Sequence, residues 1–316
     1  NKIMMRAFLL MNAVRSIQCW SWVPPQAKPF DCCRHAAPKE WVTEGLEADL
    51  LDKSSVNFSG QGDAMPKNGL EIGRVRVFPA GVPLTRVNSL CDSGILPVRL
   101  GNSDNGWGTG CHPTTKLCLE FISEKLGYGE TFMDYGTGRL ILSCPSCLIY
   151  SLSCISTSGI LAIAGLRMGA SYAVAVDVDA EVLLTAQQNL ALNDGLDERT
   201  EFLHVREVVP GGIAPGVDVA VANILVGQLV RPSMVAALCS NIRPGGLLCL
   251  SGIRPEEVPS LKAAYSEWIE WDDELYAEAS PGEEGEAYWG RWARVVGRRT
   301  GMAESRAMID QLSELA

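Results

Sequence analysis

The chain has 316 residues, 47% of them hydrophobic, and a formal net charge of -10. This length and apolar content build one sizeable core with a smaller region beside it, and the charge is too low for a disordered chain. The acidic balance excludes a protein that grips nucleic acid through its phosphates, a task that needs clustered Lys and Arg, and suits a basic protein as partner.

The 11 cysteines follow no repeating spacing and read as reduced thiols of a reducing compartment, not as a disulfide framework. Cys32-Cys33 and the pair Cys144 and Cys147 have no second pair or His cluster at ligand spacing, so no metal site is expected. Residues 1–30 carry Lys2, Arg6, Arg15 and Lys28 with no acid before Asp31. They read as a weak organelle-targeting signal or a ragged N-terminus, which leaves cytoplasm, mitochondrion or plastid open. Residues 31–105 mix Pro, Gly and short apolar runs such as Val75 to Phe78, and form a small N-terminal region without an assignable role.

After Gly106 strands and helices alternate, and this pattern holds to about residue 300, with a tail helix expected over 301–316. A Gly- and Thr-rich turn precedes a helix with Leu119, Ile122 and Leu126 on one face, and the apolar run Thr131 to Met133 then ends at Asp134. Next come a helix over Ile160 to Met168, a strand over Tyr172 to Val178, and a helix opened by Asp179 that stops at Gly195. Further strands are predicted at Glu201 to Val205 and Val217 to Ala222, followed by one helix bearing Val230, Met234 and Leu238. The turn Arg243-Pro244-Gly245-Gly246 then leads into a strand over Leu247 to Leu250. Near-continuous apolar strands alternating with helices imply a doubly wound, mostly parallel α/β sheet covered on both faces. Its ligand belongs at the carboxyl ends of the strands, where the strand order reverses.

Leu140 to Leu166 contains no charged residue, long enough to cross a bilayer. Its first half is rich in Ser and holds Pro145, and its second half reads as a soluble core helix, so no membrane span is expected.

Two features carry chemistry. The strand ending Asp134-Tyr135-Gly136-Thr137-Gly138 places glycines where the backbone must turn sharply and approach a ligand closely. The next strand ends at Asp177, a carboxylate suited to accept hydrogen bonds from both hydroxyls of a ribose, with Asp179 left to cap the following helix. Asp177 lies 41 positions after Gly136, about twice the ~20 expected between such a loop and its ribose acid. Omitting Arg139 to Thr157 brings the separation to 22 and yields the continuous run D-Y-G-T-G-S-G-I-L-A-I-A. The segment 139–157 therefore reads as an insertion, by hypothesis an unspliced intron translated in frame, placed where added atoms should weaken ligand binding unless they loop out.

With that run restored, the loop resembles motif one of the seven-strand methyltransferases. G-W-G-T-G-C-H-P-T-T-K-L, Gly106 to Leu117, resembles the signature of the ribosomal large-subunit protein 11 methyltransferases, the PrmA family. Val221-Ala222-Asn223-Ile224-Leu225 is similar to that family's V-A-N-I-L, and Arg243 to Gly246 with Leu250 to Ile253 provides a fourth match, all in the family's order. The resemblance spans about residues 95 to 298. It implies a Rossmann-like class I fold of seven strands and S-adenosyl-L-methionine as cofactor. The cofactor would be held by Thr115, Asp134, Gly136, Gly138, Asp177 and Asn223, with Asn223 beside the methyl-bearing sulfonium. The implied acceptor is a lysine or amino terminus of a ribosomal protein, with no direct nucleic acid contact. His112 is not assigned as a base, because it abuts Pro113 in a tight turn where orienting backbone is the better-supported task.

Three other readings remain: a NAD-dependent oxidoreductase on a similar sheet, a non-catalytic or mis-spliced methyltransferase homologue, and a lysine methyltransferase of a mitochondrial flavoprotein subunit.

Overall fold

The computed structural model describes residues 66, 68–91, 94–101, 110–136, 158–205, 212–213, 215–279 and 291–301. The targeting segment, the insertion 139–157 and the tail helix predicted over 301–316 lie outside the described residues, apart from Gly301.

The described part of the N-terminal region is a small mixed sheet, β1 (Leu70–Ile72), β2 (Val75–Pro79) and β3 (Leu96–Leu100), with helix α1 (Leu84–Leu90) connecting β2 to β3. β1 runs antiparallel to β2, and β2 runs parallel to β3. Val75, Val77, Val98 and Leu100 are buried, in the same apolar cluster as the neighbouring helices. The irregular composition of this stretch therefore hides a real, if short, sheet.

The larger sheet has seven strands: β4 (Thr131–Tyr135), β5 (Tyr172–Asp177), β6 (Thr200–His204), β7 (Val217–Asn223), β8 (Ile242–Ile253), β9 (Ile269–Ala279) and β10 (Trp292–Arg299). Their spatial order is β6-β5-β4-β7-β8-β10-β9. β4 through β8 pair in parallel, and β10 is antiparallel to both β8 and β9. The chain winds outward from β4 to β6, then returns to lay β7 on the other side of β4. The order reverses between those two strands, which opens a crevice at their carboxyl ends.

The faces are divided by the alternation of strand side chains. Phe132, Ala173, Ala175, Val219, Val221, Leu247 and Cys249 face α2 (Pro113–Lys125) and α3 (Ile160–Arg167). Met133, Val174, Val176, Ala220, Ala222, Leu248 and Leu250 face α5 (Val226–Leu229), α6 (Pro232–Ser240) and α7 (Val258–Ala264). α3 lies close on β4 because Gly165 has no side chain: a Cβ there would stand 3.0 Å from Phe132 Cδ1.

Two expected elements differ in form. The single helix over Val230 to Leu238 is two, because Arg231 is extended and Pro232 starts a new helix at its first turn, where a missing N–H does no harm. The strand expected at Leu247 begins at Ile242 and includes the Arg243 to Gly246 turn, with Gly245 at φ 80° and a register shift opposite Val217 and Val219. Strands β9 and β10 were not anticipated individually.

Candidate functional site

Strand parity and register place the candidate residues. Asp134, Asp177 and Asn223 lie two residues after Phe132, Ala175 and Val221, so all three belong to the face under α2 and α3. Tyr135 is level with Val176 on β5 and with Ala222 on β7. One step further, Gly136 stands between Asp177 and Asn223, and its N–H donates to Val176 O at 2.9 Å. Two strand spacings put those side chains about 10 Å apart across the glycine. Asn223 is level with Ser251, and Ser251 with Arg294. A row of polar side chains on β5, β7, β8 and β10, interrupted at the end of β4 by Gly136, thus crosses an otherwise apolar face.

Gly136 adopts φ 80°, a left-handed conformation that disfavours any side chain. A Cβ there would also run into Ile224 Cγ2, so the glycine loop and the V-A-N-I-L segment close on each other. Gly138 lies outside the described residues, as does the insertion that follows it. On the described flanks the chain is joined: Ala162 N–H, in the first turn of α3, donates to Asp134 Oδ2 at 3.2 Å. The end of β4 and the start of α3 therefore meet.

Asp177 is buried, and its Oδ1 accepts the Asp179 N–H at 2.8 Å. Asp179 caps α4 (Ala180–Ala191) through Glu181 N–H at 2.9 Å, as expected, but Asp177, expected to be left for a ligand, also shapes the turn.

Thr115 is buried in the first turn of α2. It does not cap that helix. His112 does, its Nδ1 accepting Thr114 N–H at 3.3 Å, with Pro113 following as the first helical residue. Burial, then the Arg254 and Lys116 charges, lower the His112 pKa to about 3, and its ring meets Trp292 edge-on at 5.3 Å. Just upstream, a Cβ on Gly110 would come within 3.5 Å of Ile160 Cδ1, so the Thr-bearing signature and the start of α3 are neighbours.

Asn223 is 1% exposed, and among the described residues neither its Oδ1 nor its Nδ2 has a hydrogen-bond partner. A buried carboxamide left unpaired on both atoms costs several kcal/mol, of the order of ~1–3 per group. Such a group is retained where a ligand completes it.

The sequence reading overlooks Tyr135, Ser251, Arg294 and Asn189. The Tyr135 hydroxyl is buried without a partner among the described residues, on the face opposite Asn223. Burial, and secondarily the Asp177 carboxylate, push its pKa above the usual tyrosine range. Arg294 is buried and donates to Leu117 O at 2.7 Å, tying α2 to β10. A lone cation inside the apolar run Trp292 to Val296 was the available signal.

This geometry has its counterpart among known proteins. The family described as ribosomal protein L11 methyltransferase (PrmA) matches residues 102–157 and 152–279, two pieces that meet inside the insertion. The chain belongs to this family. A ribosomal protein L11 methyltransferase of Azotobacter vinelandii (strain DJ / ATCC BAA-1303) is 38% identical over 179 residues, covering 57% of this chain and 49% of the relative. That of Pseudomonas putida (strain W619) is 35% identical over 213 residues, 67% of this chain and 57% of the relative. The chain thus spans about half the length of these relatives. Among solved structures, a ribosomal protein L11 methylase from Lactobacillus delbrueckii subsp. bulgaricus superposes with a TM-score of 0.51 at 22% identity, covering 72% of this chain and 94% of that one. The PrmA fold of the seven-stranded sheet agrees with it. No helix among the described residues is long and apolar enough to cross a membrane.

Proposed function

We propose that this chain transfers a methyl group from S-adenosylmethionine to an amine of a protein, with a ribosomal protein as acceptor. The observation that carries the reading is the buried Asn223 carboxamide, both atoms of which lack a partner among the described residues, level with Gly136 and Asp177 at the point where the strand order reverses. Bound S-adenosylmethionine supplies an electrophilic methyl group on a sulfonium. The chain's own residues then have three tasks. Asp177, at the end of β5, accepts from the ribose hydroxyls. Gly136, and by the family motif Gly138, give close backbone approach, with Asp134 fixing the start of α3. Asn223 Oδ1 accepts an N–H of the incoming amine and aims its lone pair, and Thr115 closes the pocket from α2.

The amine must arrive neutral. For a lysine side chain, with a free pKa of ~10.4, losing the proton costs about 4–5 kcal/mol at neutral pH, and for an amino terminus near ~7.8 only about 1 kcal/mol. His112, held neutral with a pKa of about 3, is too weak a base for either. Desolvation in an apolar pocket lowers the ammonium pKa instead. The acid-bearing strand β9 supports a basic acceptor protein, since complementary charge speeds encounter. The free cysteines Cys118, Cys239 and Cys249 suit a reducing compartment, cytoplasmic or organellar.

The test is transfer of labelled methyl from S-adenosylmethionine to ribosomal proteins by the full chain and by a variant lacking 139–157, with parallel titrations of S-adenosylmethionine and NAD. Transfer by both forms supports the reading. Transfer by the shortened form alone assigns the full chain to the non-catalytic, mis-spliced class. NAD binding without S-adenosylmethionine binding would overturn it, and a labelled flavoprotein subunit in place of a ribosomal protein would move the acceptor.

A further inference from the structure

Two asparagines stand on the inward face of α4 and just beyond it, one turn apart, amid Val182, Leu183, Ala186 and Leu190. Both are buried, Asn189 at 3% exposure and Asn193 at 0%. Asn193 treats the edge of the small sheet as a neighbouring strand would: its Oδ1 accepts Arg99 N–H at 2.9 Å and its Nδ2 donates to Arg99 O at 2.8 Å. It also donates to the backbone O of Asn189 at 2.7 Å, which ties it to the last turn of α4.

Asn189 does something different. Its Oδ1 accepts Gly101 N–H at 2.7 Å and its Nδ2 donates to Ser158 O at 2.9 Å. Gly101 is where the chain leaves β3 toward the Gly- and Thr-rich signature and α2. Ser158 is where the chain returns to open α3 beside Asp134. A single carboxamide therefore bridges two segments that are 57 residues apart in sequence, and both lead into the pocket. The approach is close on each side. A Cβ on Gly101 would stand 3.1 Å from Asn189 Oδ1, and one on Gly159 would stand 2.8 Å from Ala186 Cβ. α4 itself follows directly from Asp177, so one helix connects the ribose acid, the signature segment and the glycine-loop exit.

We propose that Asn189 is a positioning residue that holds Gly101 and Ser158 at a fixed separation, so that the cofactor pocket is formed before the ligand arrives. The proposal rests on the methyl-transfer reading for the ligand's identity, but the clamp itself is a property of the free chain. An amide is required because the two bonds have opposite polarity: Gly101 offers a donor and Ser158 an acceptor. Pre-forming the pocket removes an ordering cost from binding, so loss of the clamp shows as weaker cofactor binding with no contact to the cofactor lost.

The experiment compares the full chain with N189A and N193A by amide hydrogen exchange, thermal unfolding and S-adenosylhomocysteine binding. N189A is expected to speed exchange at Gly101 and across 158–162 at least ten-fold, and to weaken S-adenosylhomocysteine at least ten-fold. N193A is expected to loosen Arg99, to lower Tm as much, and to keep affinity within about three-fold. Unchanged exchange in N189A, or equal affinity losses in both variants at matched Tm, overturns the clamp. If N189A does not fold, G101A presses on the same bond and should show the same pattern more weakly; wild-type exchange at 158–162 in G101A overturns it. If the unsubstituted chain binds no S-adenosylhomocysteine, the methyl-transfer reading fails and the exchange measurements alone decide the clamp.

Discussion

The two edges of the seven-stranded sheet carry similar polar groups and treat them in opposite ways. At the amino edge, Asp218 accepts the Thr131 N–H and hydroxyl, each at 2.7 Å, and pairs with Arg243. Burial works against its ionised form, but the hydrogen bonds from Thr131 and the Arg243 guanidinium prevail and hold its pKa below the usual carboxylate range. Its partners lie within the protein, so this cluster joins β4, β7 and β8 and serves stability. At the carboxyl edge, Asn223 is buried as deeply as a core leucine and has no partner among the described residues. A polar group satisfied from within the fold supports the fold, whereas one buried and unsatisfied at a crevice is stabilised by what enters it.

Asn223→Ala should separate the two edges most sharply. Methyl transfer is expected to fall about 100-fold or more through lost alignment of the amine, while Tm holds or rises because no protein partner is abandoned. Initial rates and thermal unfolding on one preparation check this, and near-normal turnover would break the contrast. Asp177→Ala should weaken S-adenosylmethionine about 10- to 100-fold, the worth of hydrogen bonds to a charged group, with a small drop in Tm as the Asp179 N–H loses its acceptor. Calorimetric titration reads it, and unchanged affinity would remove Asp177 from the ribose role.

The amino edge should answer in the other currency. Asp218→Asn is expected to cost about 1–3 kcal/mol of stability with cofactor affinity unchanged. Because the folded pKa of Asp218 is lowered, its stabilising share is present above the unfolded value of ~3.9 and is lost as pH falls through the folded value. Denaturation curves down to low pH should therefore show wild type and D218N converging on acidification; parallel curves would contradict this.

The effect smallest at neutral pH belongs to His112, whose folded pKa of about 3 lies below the free value. The unfolded chain binds this proton first, so stability declines as pH falls from ~6.5 toward 3. His112→Asn keeps a capping acceptor and should flatten that part of the Tm profile without moving the pH dependence of turnover. A turnover profile that lost an ionisation in H112N would return His112 to the chemistry.

Periodicity and composition were enough for the parallel sheet, because strands buried on both faces must be apolar throughout, and β4, β5, β7 and the core of β8 are. They were also enough for the Asp179 cap, which local spacing reveals by itself. The β1–β3 sheet was not legible, since its strands of three to five residues are too short for a period to show. Asn189 and Asn193 passed unnoticed as two amides on an apolar helix face, and nothing local says that one pairs with Gly101 and Ser158 and the other with Arg99.

What the amino-acid order determined alone was which residues end strands: Gly136, Asp177 and Asn223 each close an apolar run, and side-chain alternation commits each to one face. Only the tertiary structure decided that these ends are level with one another, because register between strands distant in sequence depends on how helices pack over them. The same packing left Asn223 without a partner among the described residues while satisfying Asp218, and burial without a partner exists only once the fold has closed.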